Sequence, residues 1–196
     1  MPQFTRLQRI LWLAVLLAVV GFGWLMLGRG SEQTATESFR PEFALADDAG
    51  TIRTNAEFEG KFLLVFFGFT NCPDICPTTL AEVAQVMDDL GSDAERVQPV
   101  FISVDPERDR RLGLAAYTAA FHPSILGLAG DAAATAAAAD SFKVFFEREA
   151  DAAAPDGYAM SHSPALYLIG PDGEWLRQFT YGTPASEILA DLQERL

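Results

Sequence analysis

Hydrophobic and polar positions divide this chain into an apolar stretch, a polar stretch and a long region of short alternating blocks. Residues 10–27 read ILWLAVLLAVVGFGWLML, with no charged side chain. As a helix rising about 1.5 Å per residue, they span about 27 Å, close to the hydrocarbon thickness of a bilayer. Trp12 and Trp24 stand near the two ends, where aromatic side chains favour a membrane interface. A cleaved signal peptide has a shorter apolar core followed by a small-residue cleavage site, and Leu27-Gly28-Arg29-Gly30-Ser31 is a poor one. The pattern predicts one uncleaved N-terminal transmembrane helix. Arg6 and Arg9 precede it and only Arg29 follows closely, so residues 1–9 are expected to stay in the cytoplasm. In a bacterium the helix is then a single-pass inner-membrane anchor with the soluble part in the periplasm.

Residues 28–40 are polar and predict a tether. Residues 41–196 carry the blocks of a single domain. FLLVFF at 62–67 is a continuous apolar run, the mark of a strand buried on both faces. Residues 97–104 and 165–169 are two more such runs, and residues 43–45 predict a short strand before the turn at 47–50. Pro171-Asp172-Gly173-Glu174 predicts a turn, with residues 175–180 returning as a hairpin strand. Helical patterns occupy 78–90, 110–121, the alanine-rich 131–142 and 185–196. Strands alternating with helices, then a terminal hairpin and helix, predict an α/β domain with a mixed sheet.

Charge narrows the partners. Three of the 14 basic residues lie in the first 30 positions, which leaves 11 against all 27 acidic residues in the remainder. A surface so negative repels phosphate backbones, so nucleic acid is excluded as a partner.

The candidate chemistry lies in two cysteines and two histidines. Cys72 and Cys76 stand in GFTNCPDICP, directly after the first buried run and before a helix, where open α/β sheets place ligand chemistry. Pro77 fits the first helical position, so the helix is expected to start there with Cys76 at its cap. The helix end then favours thiolates over thiols. Three readings of the pair stand open. A structural disulfide would close so short a loop that it stabilises little. A redox dithiol would exchange disulfides with a partner. A soft-metal site would use two thiolates for Cu(I), with an added imidazole accommodating Cu(II). His122 reads as a helix-end histidine. His162, in YAMSHSP before the third apolar run, is placed to reach the cysteine loop. Met160 is a candidate soft ligand that also reads as packing. Asp105 and Glu107 follow the second buried run, where they read as a strand-to-helix turn and cap, with orientation of His162 as the alternative.

Three segments, GFTNCPDICPTTL (68–80), SVDPERD (103–109) and SHSPALYLIGPDG (161–173), make this sequence similar to the Sco/SenC family of membrane-anchored copper proteins of cytochrome oxidase assembly. The resemblance covers residues 41–196 in order, plus the anchor. It implies a thioredoxin-like fold and copper bound by Cys72, Cys76 and His162, while His122 matches no family ligand. Arg110 and Arg111 depart from the family's usual DPERDTP, and Ser161 stands where an acidic residue often precedes the histidine. Pro164 resembles the cis-proline beside thioredoxin dithiols, although the family does not require it.

The resemblance implies a copper metallochaperone that delivers its ion to the CuA centre, carried by the exposed subunit of cytochrome c oxidase. Another copper chaperone or a thioredoxin-like reductant would be a further partner. The alternative is a periplasmic thiol–disulfide oxidoreductase, with Cys72 and Cys76 as its catalytic pair, that keeps a partner's cysteines reduced. A copper or redox sensor is a third reading.

Overall fold

The computed structural model of the chain describes residues 5–28, 38–154 and 156–196. Two compact units meet between Ser38 and Phe39. The first contains helix α1 (Arg6–Gly28), 23 residues long. Its described side chains between Ile10 and Trp24 are apolar and almost all exposed. Side chains at 7, 9 and 25–28 lie outside the described residues, and among the described residues no helix is long and apolar enough to cross a membrane. Most of the expected tether, residues 29–37, also lies outside them.

The second unit starts at Phe39, whose ring packs edge-on against Trp175 and whose carbonyl accepts the Trp175 N–H at 2.8 Å. A small hairpin, β1 (Ala44–Ala46) and β2 (Ile52–Thr54), leads into β3 (Phe62–Gly68). Helix α2 (Ile75–Leu90) crosses to β4 (Val97–Ser103). Two short helices, α3 (Pro106–Leu112) and α4 (Leu114–Ala119), lead to β5 (Leu126–Leu128). After α5 (Ala132–Ser141) comes a separate hairpin of β6 (Phe146–Ala150) and β7 (Tyr158–His162). The chain closes with β8 (Leu166–Ile169), β9 (Trp175–Phe179) and α6 (Ala185–Gln193).

The main sheet has the order β5-β4-β3-β8-β9. β3 runs parallel to β4 and antiparallel to β8, which gives the mixed sheet expected. All seven residues of β3 are buried, so both of its faces are covered. Phe67 packs on Phe142 and Tyr167 on one face. On the other, Phe66 packs on Phe101 and His162. Helix α2 buries Cys76, Leu80, Val83, Met87 and Leu90 at helical spacing and packs against α6.

Two expectations are corrected. The helix expected over 110–121 is two helices, because Gly113 adopts φ 83° and interrupts the ladder. The helix expected from Pro77 begins two residues earlier at Ile75, with Asp74 at the N-cap. Proline is tolerated at the third helical position because first-turn N–H groups have no intrahelical partner to lose.

Candidate metal centre

Cys76 therefore lies inside the first turn of α2, fully buried, while Cys72 sits half-buried in the loop before it. The first-turn N–H of Cys76 donates to the Cys72 sulfur at 3.4 Å. Gly68, the last residue of β3, makes this seat. A Cβ there would lie 2.8 Å from the Cys76 sulfur and 2.9 Å from the Phe101 ring, so only a glycine lets the buried sulfur approach the strand. Neither cysteine is in a disulfide in this structure.

His162 is the last residue of β7, paired with Phe146 across the hairpin. Its ring stands edge-on to Phe66 and Phe69, with centroids 5.9 and 5.8 Å away. Nδ1 lies 3.1 Å from the Ser163 carbonyl, and because a carbonyl only accepts, Nδ1 carries the proton. The lone pair is then on Nε2, which faces the Cys76 sulfur at 3.7 Å. One ligand atom each from Cys72, Cys76 and His162 lies within 4.8 Å of the others. Three donors at that mutual distance, with the imidazole tautomer fixed by its other nitrogen, fit a soft metal ion.

The two sulfurs differ in protonation. The Cys76 thiol donating to it, together with the N–H groups of Cys76 and Asp74, outweighs burial and holds the Cys72 thiol down at about 4. Cys76 moves the opposite way: donation to Cys72 and its own burial keep the proton on it. The metal-free pair is thus one half-buried thiolate and one buried thiol.

The remaining candidates divide. His122 accepts the Ser124 N–H on Nδ1 and faces Asp88 with Nε2, a helix-end role that leaves it out of the cluster. Met160 packs against the core. Glu107 is exposed. Asp105 occupies the N-cap of α3, yet its side chain makes no capping bond and goes instead to Arg108 and Tyr158. Ser161 points to the outer face of the hairpin and donates to Glu149. No described peptide bond is cis, the one before Pro164 included.

Two residues beside the site carry no expectation from the sequence. Asp109 is completely buried and accepts from Thr70 N, Thr70 Oγ1 and Ser103 Oγ at 3.0, 2.7 and 2.6 Å. Burial raises its carboxyl, against those hydrogen bonds. Tyr158 shares the inner face of β7 with Met160 and His162, and the alternation of Tyr158, Met160 and His162 is the sequence signal for that strand.

A dithiol following a central sheet strand, running into a helix and facing an imidazole, defines a thioredoxin-like domain with a Cys-Cys-His group that could hold a metal ion. Comparison with known proteins agrees. The protein-family model described as SCO1/SenC matches residues 31–196. The mitochondrial SCO2 homolog of Bos taurus is 36% identical over 208 residues, covering 100% of this chain and 78% of its own. A SCO2-like protein of Rickettsia felis is 36% identical over 152 residues, 78% of this chain and 74% of its own. The structure of Bradyrhizobium japonicum ScoI with copper bound superposes with a TM-score of 0.72 at 38% identity, covering 81% of this chain and 100% of that one. The chain belongs to the SCO1/SenC family.

Proposed function

We propose that this protein is a membrane-anchored copper metallochaperone that holds copper on Cys72, Cys76 and His162 and delivers it to the CuA centre of cytochrome c oxidase. One observation carries the reading: two sulfurs and Nε2 of His162 converge within 4.8 Å beyond the end of the central strand β3, with Cys72 and His162 partly exposed. The copper-bound relative supports the choice of ion. Two thiolates and a neutral imidazole give Cu(I) a total charge of −1 and Cu(II) a charge of 0, both tolerable near a protein surface. Three protein donors leave room for a fourth from the recipient, so the ion passes by ligand exchange. Residues 10–27 serve as the anchor, with the donor domain in the bacterial periplasm, which raises the effective concentration of donor and recipient on one membrane surface. Another copper chaperone that loads the site, or a thioredoxin-like reductant that keeps it reduced, completes the partner set.

The asymmetry of the sulfurs favours a second reading, thiol–disulfide exchange. The Cys72 thiolate attacks a partner disulfide and expels one partner thiolate. Cys76, on losing its proton, attacks Cys72 and expels the second. Two electrons pass to the partner, and Cys72–Cys76 becomes the disulfide.

The test is anaerobic copper titration of the reduced full-length chain in detergent, with absorption and spin-resonance spectra of Cys72→Ser, Cys76→Ser and His162→Ala. One ion per chain, lost or spectrally altered in all three variants and transferable to a metal-free CuA domain, is the expected result. Wild-type binding no different from His162→Ala, together with rapid reduction of a dithiol partner, would replace the chaperone with the reductase.

A further inference from the structure

The two halves of the triad come from distant elements, the cysteine loop and the β6–β7 hairpin, and the short helix α3 touches both. On the sulfur side, the buried Asp109 carboxylate accepts the Thr70 N–H and hydroxyl, two residues before Cys72. On the histidine side, Tyr158 donates its hydroxyl to the Asp105 carboxylate, 2.9 Å away, and accepts from Arg108 Nε at 3.0 Å. Arg108 Nε is also 2.7 Å from Asp105. The Tyr158 ring lies between two guanidinium groups, Arg108 at 3.9 Å and Arg148 at 3.6 Å. Asp105 and Arg108 are joined to Asp109 through one helical turn, and the Asp109 N–H donates to the Asp105 carbonyl at 3.0 Å.

The energetics are unusual. Arg108 is 2% exposed, and its Nη1 and Nη2 have no hydrogen-bond partner among the described residues. Burying a guanidinium with unbonded N–H groups is costly, and what offsets the cost here is the Asp105 carboxylate, the Asp156 carboxylate 3.5 Å from Nε, and the Tyr158 ring. The hairpin, by contrast, has little core of its own: every residue of β7 is only partly buried, and four of the five in β6 are exposed. Tyr158 and His162 lie on the same face of one strand, so the anchoring of one sets the reach of the other.

We propose that Asp105, Arg108 and Asp109 form a clamp that sets the distance between the imidazole and the sulfurs, with Tyr158 and Thr70 as its two grips. All five are positioning residues. The proposal rests on the metal-site reading for its consequence in copper binding, but not for the clamp itself.

Full-length wild type, Tyr158→Phe and Thr70→Val, each alone and with His162→Ala, are compared in detergent by two readouts. The first is amide hydrogen exchange of the metal-free protein. Loss of a hydrogen bond to a charged partner should raise exchange across 146–150 and 158–162 about tenfold in Tyr158→Phe and leave β3 and α2 unchanged. The second is Cu(II) affinity and spin-resonance spectrum. Tyr158→Phe should weaken binding about tenfold and alter the spectrum, and this effect should vanish when His162 is already alanine. The Thr70→Val effect should persist there, because it acts through the sulfurs. Unchanged hairpin exchange in Tyr158→Phe overturns the clamp. So does a Tyr158→Phe effect on copper that is undiminished in the His162→Ala background. If the wild type binds no copper while hairpin exchange rises as stated, the clamp stands and the metal reading fails. Should Tyr158→Phe not fold, Asp105→Asn, which keeps the shape of the contact, is read by the same two measurements with the same expectations.

Discussion

The sulfur arm and the histidine arm of the site are built on different physical terms. Cys76 sits against Gly68 at the end of a strand in which every residue is buried, and its helix contributes a continuous buried stripe. Burial of that kind is worth about 1.5–3 kcal/mol per large side chain and is insensitive to any one contact. His162 arrives on a two-stranded hairpin outside the main sheet, with β7 partly buried, β6 mostly exposed, and polar and aromatic contacts holding it. A two-stranded hairpin is at best marginally stable alone, so side-chain ties decide where it lies. One arm is thus set by packing of the core and the other by a few removable contacts.

Measurements that separate the arms can be ordered by expected size. His162→Ala should cost more than about 100-fold in Cu(II) affinity, since loss of an outer partner of a ligand already costs about 10–100-fold. The same variant should leave the dithiol's reduction potential close to wild type. A potential that moved with the copper affinity would mean that the arms are not separable. Gly68→Ala strikes the rigid arm. Its Cβ overlaps the Cys76 sulfur and two aromatic rings, so denaturant unfolding should show a loss of about 1–3 kcal/mol. Copper binding should fall with it, and a fully stable Gly68→Ala chain would remove the packing argument.

Alkylation of the metal-free, reduced protein at neutral pH should label Cys72 well before Cys76, because Cys72 is the partly accessible thiolate and Cys76 the buried thiol. Mass mapping of the first adduct reads this directly, and equal labelling would contradict it. The smallest effect lies away from both arms. Asp191 is 8% exposed, and although burial opposes it, hydrogen bonds from Arg195 and Arg177 hold its carboxyl below the ordinary value. A depressed folded-state value means that the stabilisation is complete above the unfolded-state value near 3.9 and is lost as pH falls through the lower folded one. Asp191→Asn should therefore lower stability by no more than about 1 kcal/mol at pH 7, with the two proteins converging in acid. No change in copper binding is expected from it.

How much of this was legible in the chain depended on burial. The runs at 62–67, 97–104 and 165–169 read as strands and are strands, because a segment covered on both faces must be apolar throughout. Asp131 was readable as the start of α5, and its side chain does accept the Ala134 N–H. The β6–β7 hairpin has no clear signal in the sequence. FEREA is mostly exposed, and the alternation of Tyr158, Met160 and His162 is only three positions long, too short to stand out without its partner strand. The start of α2 lies two residues before the position that proline's preference for the first helical site predicts, because proline is tolerated anywhere in the first turn.

From the amino-acid order alone came the layered α/β domain, the dithiol at a strand end, and the family likeness that drew His162 toward the cysteines. Periodicity and local spacing specify these, since they depend on neighbours within a few residues. Tertiary structure alone decided which imidazole nitrogen faces the sulfurs, why Gly68 must be glycine, and that Asp109 and Tyr158 tie both arms to one short helix. Most of those facts rest on contacts between residues far apart in the chain, from 39 positions for Thr70 and Asp109 to 86 for Cys76 and His162, brought together by the packing of the whole sheet.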